Sequence, residues 1–167
     1  MKRGRAQQRQ GERGTQVAEL AMVLPLLLFL GLAVTEGAGF VRAHQMLNNA
    51  AREGAKFSTL EVNRTKTSTI QGVVDTYLKT ATAYGGPPSS YGICVNAGTG
   101  CNPPYAVVTV NQCVIVTTAS GANTWASQVD VSYAYQLQYL PKLPWFSFPG
   151  TVNLRGRAEF VNFYACT

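Results

Sequence analysis

The chain has 167 residues, of which 46% are hydrophobic and 13% charged, with a formal net charge of +6. That length holds one domain plus a membrane segment and excludes two independent enzymes. The charge does not mark a nucleic-acid binder, because Lys2, Arg3, Arg5, Arg9 and Arg13 are concentrated before residue 14 and offset there only by Glu12; beyond them nine basic and seven acidic residues remain, a net of +2.

Residues 1–14 read as a basic, glycine-spaced leader, disordered or loosely helical. An apolar run follows from Val17 to Val34, interrupted only by Glu19. It is close to the roughly 20 apolar residues that cross a bilayer core. Positive charge ahead of such a run predicts a single-pass anchor, N-terminus inside and bulk outside. A cleaved secretory signal is the competing reading, but Ala33-Val-Thr-Glu-Gly37 is a poor small-x-small site. A carboxylate at the centre of a membrane helix costs roughly 2.5–3.5 kcal/mol. Glu19 lies near the entrance and costs less, yet it still calls for a cationic partner. Pro25 removes a backbone donor and predicts a kink or loosened turn. Gly31, Gly37 and Gly39 either permit close helix approach or reflect ordinary membrane-helix composition.

Beyond Glu36 the pattern becomes amphipathic. Phe40, Ala43, Leu47, Ala50, Ala51, Gly54 and Phe57 recur at spacings of three and four, opposite Arg42, Gln45, Asn48, Asn49, Arg52 and Lys56. An unbroken helix from Thr15 to Ser58 would be about 65 Å long at 1.5 Å per residue; a hinge at Gly37–Gly39 is the alternative. Ile70, Val73, Val74, Tyr77, Leu78 and Ala81 predict a second amphipathic helix over Thr67–Thr82, and Gly85-Gly-Pro-Pro-Ser-Ser90 ends it. Three β-rich stretches follow. Tyr105–Thr118 reads as a strand or hairpin. Ala126–Tyr139 alternates, with Val129, Val131, Tyr133, Tyr135 and Leu137 on one face and Asp130, Ser132, Gln136 and Gln138 on the other. Thr151–Tyr164 reads as the last strand, after a proline-broken excursion over Leu140–Gly150 that cannot be a central strand. The fold class expected is α+β: a long N-terminal transmembrane and amphipathic helix, a second amphipathic helix, then a small antiparallel sheet.

Cys94, Cys101, Cys113 and Cys166 all follow the apolar run, and an even number in an exported domain predicts disulfides. Four cysteines allow three pairings, which the sequence leaves open; the preferred one joins Cys94 to Cys101 across a short loop and Cys113 to Cys166. Metal binding is not expected, because there is no Cys-x-x-Cys pair and the only histidine is His44. Nor do the residues assemble a hydrolase or nucleotide-binding pattern, so neither catalysis nor a cofactor is expected. Asp75, Asp130 and Glu159 read as isolated surface groups. Trp125, Trp145, Phe146 and Phe148 read as core or loop anchors, with contact to a surface or glycan as the other use.

The segment Gly14-Thr-Gln-Val-Ala-Glu-Leu-Ala-Met-Val-Leu-Pro-Leu-Leu-Leu28, with Asn49-Ala-Ala-Arg-Glu-Gly-Ala55, resembles the N-terminal part of TadE-like proteins, minor pilins or pseudopilins of tight-adherence (Flp-type) pili. Leu20 stands where the family often has an aromatic, and the pattern does not require the four cysteines. The Val-Asp-Val-Ser-Tyr strand, proline loop and Arg-x-Arg-Ala-Glu strand resemble the family's later half more weakly. The resemblance implies that a prepilin peptidase cuts after Gly14, that Thr15 becomes the new amino terminus, and that Glu19 pairs with such an amine during assembly. It implies a pilin-like division into a cleaved leader (1–14), a transmembrane helix (15–36), its extracytoplasmic continuation (37–60) and an α+β head (61–167). The expected location is the cytoplasmic membrane, with passage into a pilus, and the expected partners are the peptidase, other pilins and assembly proteins, and the lipid bilayer. An uncleaved, signal-anchored binding module is the alternative.

Overall fold

A single helix, α1, runs from Gly4 to Ser58 without a break and is about 80 Å long at 1.5 Å per residue. The chain is seen as a computed structural model that describes residues 4–83, 93–95, 104–137, 149–164 and 166, with residues 4–15, 82 and 83 described by their backbone alone. Pro25 lies inside α1 and does not end it. The helix also starts earlier than Thr15, because its backbone is already helical at Gly4, within the stretch expected to be disordered or loosely helical. The hinge considered at Gly37–Gly39 is absent. Gly39 instead sits under the Tyr135 hydroxyl, where an added Cβ would lie 2.7 Å from the oxygen.

The second half of α1 buries one stripe. Ala43, Met46, Leu47, Ala50, Ala51, Gly54, Ala55 and Ser58 are buried, while Arg42, Gln45, Asn49, Arg52 and Lys56 face solvent. Small side chains dominate this stripe because the partners come close: a Cβ on Gly54 would stand 2.6 Å from a Val74 methyl. Those partners are α2 (Thr67–Ala83) and the sheet. In α2 the residues Ile70, Val74 and Leu78 are fully buried, with Val73 and Tyr77 at the margin. Burying a side chain such as Leu47, Ile70 or Leu78 contributes about 1.5–3 kcal/mol each.

The end of α1 is closed by side chains. Ser58 Oγ donates to the Ala55 carbonyl, Thr59 Oγ1 to Lys56 and Asn63 Nδ2 to Phe57. These satisfy carbonyls that a helix C-terminus leaves without an intrahelical donor. A short 3₁₀ turn, Glu61–Asn63, then leads into α2.

The sheet has three antiparallel strands in the order β1 (Val107–Thr117), β2 (Asn123–Gln136) and β3 (Thr151–Val161). The stretch read as a strand or hairpin is one strand with a bulge: Asn111 pairs Gln128 and Val114 pairs Ala126, so Gln112 and Cys113 together oppose Ser127. The bulge aims two side chains. Gln112 Oε1 accepts from the Thr65 amide and its Nε2 donates to the Asn63 carbonyl, clamping the α1–α2 connector to β1. Cys113, at φ 64°, forms a disulfide with Cys166. Cys94 is also disulfide-bonded, while Cys101 lies outside the described residues.

On the inner face of β2, which packs on α1, Val129, Val131 and Tyr135 are buried, as the alternation predicts, and Tyr133 and Leu137 are half-buried. The three acids read as isolated surface groups are not isolated. Asp130, on the opposite face, is only 8% exposed and pairs with Arg155 at 2.9 Å. Asp75 accepts from the Val95 amide and from Lys79, and Glu159 pairs with Arg157 at 2.7 Å. Strand geometry explains two of these: Asp130 lies opposite Arg157 in the β2–β3 register, two residues from Arg155, and Arg157 and Glu159 are alternate residues on one face of β3. Trp125 is partly exposed at the far end of β2; Trp145, Phe146 and Phe148 fall outside the described residues.

Candidate functional site: the unpacked half of the long helix

Before Glu36, α1 touches little of the head. Val17, Leu20, Met22, Val23, Leu24, Leu26, Leu27, Leu28, Leu30 and Val34 are all exposed, Met22 to 84%. An 18-residue window in this helix has a mean hydropathy of 2.4 and no buried residues. From Gln16 to Thr35 the exposed length is about 30 Å, the thickness of a bilayer's hydrocarbon core. One long apolar N-terminal helix with no packing of its own fits a single-pass membrane anchor.

Glu19 projects from this apolar surface and is exposed. Thr15 precedes it by four residues, so helix geometry puts the two positions on one face a turn apart. The peptide joining Gly14 to Thr15 lies in helical backbone. A glycine inside a helix costs about 1 kcal/mol relative to alanine, so Gly11 and Gly14 lower the cost of opening α1 locally. Cys113 and Cys166, joined to each other, and the disulfide-bonded Cys94 lie elsewhere, in the head.

Where the anchor meets the head stands a residue that the sequence reading used only as a boundary. Glu36 is 4% exposed, the first buried side chain along α1 among the described residues. It lies beside Tyr135, whose ring also meets Phe40 edge-on at 6.0 Å between centroids. Burial pushes the Tyr135 hydroxyl above its ordinary pKa, and the Glu36 carboxylate and Tyr133 add to that shift; burial alone raises Tyr133. A lone acid between an apolar span and two helix glycines was the available signal for this joint.

Among the described residues no group of three or more His, Cys, Asp or Glu side chains could hold a metal ion. His44 is exposed on α1, where its Nδ1 lies 3.2 Å from Asn48 Nδ2. The amino-terminal half of α1 thus presents an exposed apolar helical surface of the kind that lipid or other helices cover.

Residues 14–56 match the model of a family described as TadE-like protein. The match covers the part of α1 that contains Glu19, Pro25, Glu36 and the buried stripe as far as Ala55. No curated protein and no solved structure matches the chain.

Proposed function

The chain is TadE-like across its long helix, and from that premise we propose that it is a minor pilin or pseudopilin of a tight-adherence pilus, matured by a prepilin peptidase. The peptidase cuts after Gly14, releasing the basic leader, and Thr15 gains a free amine. The mature protein sits in the cytoplasmic membrane with its N-terminus on the cytoplasmic side and its disulfide-bearing head outside. Glu19 then pairs with the amine of Thr15, its own or a neighbour's, as subunits stack. Its role is to prime, cap or join the filament in adhesion or secretion.

The observation that supports this reading is Glu19 itself, a single carboxylate on an apolar helix surface that the head leaves bare. In lipid a charge is tolerated when paired, and breaking such a pair on one side is strongly unfavourable, so the pair can set the register between helices. A second reading, an uncleaved anchored binding module, draws on the helical backbone across Gly14 and Thr15, since a protease must open that turn.

The N-terminal sequence of the protein isolated from cells separates the two: Thr15 at the start supports maturation, Met1 the anchored module. Replacing Gly14 with leucine is expected to leave full-length precursor, read as an unchanged intact mass. Glu19→Ala is expected to insert into the membrane normally yet fail to enter filaments. Wild-type amounts of the variant in sheared pili would overturn the assembly role.

A further inference from the structure

Beyond the membrane half of α1, a groove runs between α1 and the outer edge of the sheet. It encloses about 400 Å³ and is lined by Arg52 and Lys56 of α1 and by Arg157, Ala158, Glu159 and Phe160 of β3. Among the described residues β3 pairs with β2 along one edge and with nothing along the other. A strand edge of this kind presents free N–H and C=O groups to any extended chain that reaches it.

Placement and charge narrow what fits. Gly156 is seated on α1, where an added Cβ would lie 2.5 Å from the Leu47 carbonyl carbon. From that point β3 and α1 run in the same sense, and four strand residues cover about 13 Å, the rise of about nine helical residues. Phe160 is therefore level with Lys56. Arg157 is occupied by Glu159 at 2.7 Å. Lys56 approaches Glu53 only at 3.8 Å, with both side chains at least half exposed, an arrangement that contributes little. Arg52 is exposed and makes no ion pair among the described residues. Arg52 and Lys56 are four positions apart on the helix, an axial rise of about 6 Å. Alternate residues of an extended strand are separated by about 6.6 Å. The two cations thus match carboxylates at positions i and i+2 of one strand face.

We infer that this groove receives an extended segment of a different polypeptide, added to the free edge of β3, with acidic side chains at alternate positions paired to Arg52 and Lys56. A second copy of this chain cannot supply it. Its eight acids are Glu12, Glu19, Glu36, Glu53, Glu61, Asp75, Asp130 and Glu159, and no two are separated by a single residue. The other sheet edge, β1, contains no acid at all.

The test uses the full chain in detergent micelles, so its outcome does not depend on cleavage at Gly14 or on filament formation. The probe is a fluorescein-labelled ten-residue peptide of alternating Thr and Val with Glu at two alternate positions, followed by anisotropy. Two exposed ion pairs set the expected effect: Arg52→Gln with Lys56→Gln weakens binding about tenfold. The charge-conserving pair Arg52→Lys with Lys56→Arg restores it. A peptide with Gln in place of Glu binds as weakly to the wild type, and N-methylation of the amides along one peptide edge weakens binding by a similar factor. Equal binding of the Glu and Gln peptides would overturn the charge match. Undiminished binding of the N-methylated peptide would overturn strand addition in favour of a simple anion site. Absence of binding at concentrations on the order of 1 mM would reduce Arg52 and Lys56 to charges that keep the edge unpaired.

Discussion

At Gly156 a methyl group would stand 2.5 Å from the Leu47 carbonyl carbon and 2.7 Å from the Asn48 nitrogen, both of them backbone atoms that cannot rotate away. Gly156→Ala is therefore expected to lower stability by about 1–3 kcal/mol through displacement of β3 from α1. Denaturant titration followed by Trp fluorescence in detergent measures it, with Gly72→Ala as the control because open space surrounds that glycine. Tyr133 and Tyr135 give a pH prediction. Both hold their protons above the ordinary tyrosine value, burial being the cause at Tyr133 and the largest of three causes at Tyr135. The unfolded chain releases those protons first as pH rises, so stability is complete below about pH 10 and declines above it toward the folded pKa values. Tyr135→Phe is expected to reduce that alkaline decline, measured as the midpoint of unfolding between about pH 9 and 11. Residues of this kind were the hardest to read from sequence. Glu36 and Asp130 look like any solvated acid until Tyr135 covers one and Arg155 the other.

At the level of elements, periodicity was a sufficient guide where one face meets the core. The spacing that predicts α2 over Thr67–Thr82 is met by a helix over Thr67–Ala83, because Ile70, Val74 and Leu78 form a continuous buried stripe. The alternation in β2 was equally informative on its inner face. Irregular features were not readable in this way. The bulge at Gln112 and Cys113 carries no periodic signal, since it arises from what those side chains reach across the fold: the connector after α1 and Cys166. The disulfide ties the centre of an edge strand to the carboxyl end, with a sequence separation of 53. Closing a loop of that size stabilises by about 2–4 kcal/mol. Cys113→Ser with Cys166→Ser is expected to lose that amount in chemical denaturation, while the double variant keeps its membrane association, since the anchor is remote from the bond.

At the scale of the whole molecule the chain has two solvents. The carboxyl half of α1, with α2 and the sheet, buries its own apolar surface, whereas the span before Glu36 leaves its apolar side chains exposed over about 30 Å. An apolar surface of that extent marks contact with lipid or with other protein. Val23→Glu with Leu27→Glu places two charges a turn apart near the middle of the span, each costing about 2.5–3.5 kcal/mol in a bilayer. The expected outcome is a shift of the protein from the carbonate-resistant membrane fraction to the soluble one. Retention in the membrane pellet would contradict the anchor. The same continuous helix links anchor and head, so force or displacement at one is transmitted along a rod rather than through a flexible tether.

What the sequence alone determined was everything encoded by local pattern: the apolar span, the stripe that follows it, the alternating strands, the α+β order and the TadE-like segment that carries Glu19. Those features depend only on neighbours within a few turns or pleats, and hydrophobic burial enforces them wherever they are placed. Tertiary structure decided the rest. It chose one rod over a hinge at Gly37–Gly39, because Tyr135 closes over that region. It withdrew Glu36 and Asp130 from water and brought Arg52 and Lys56 beside the outer edge of β3. Residues distant in the chain meet there only after the sheet has docked on the helix, so their charges and contacts have no counterpart in local spacing.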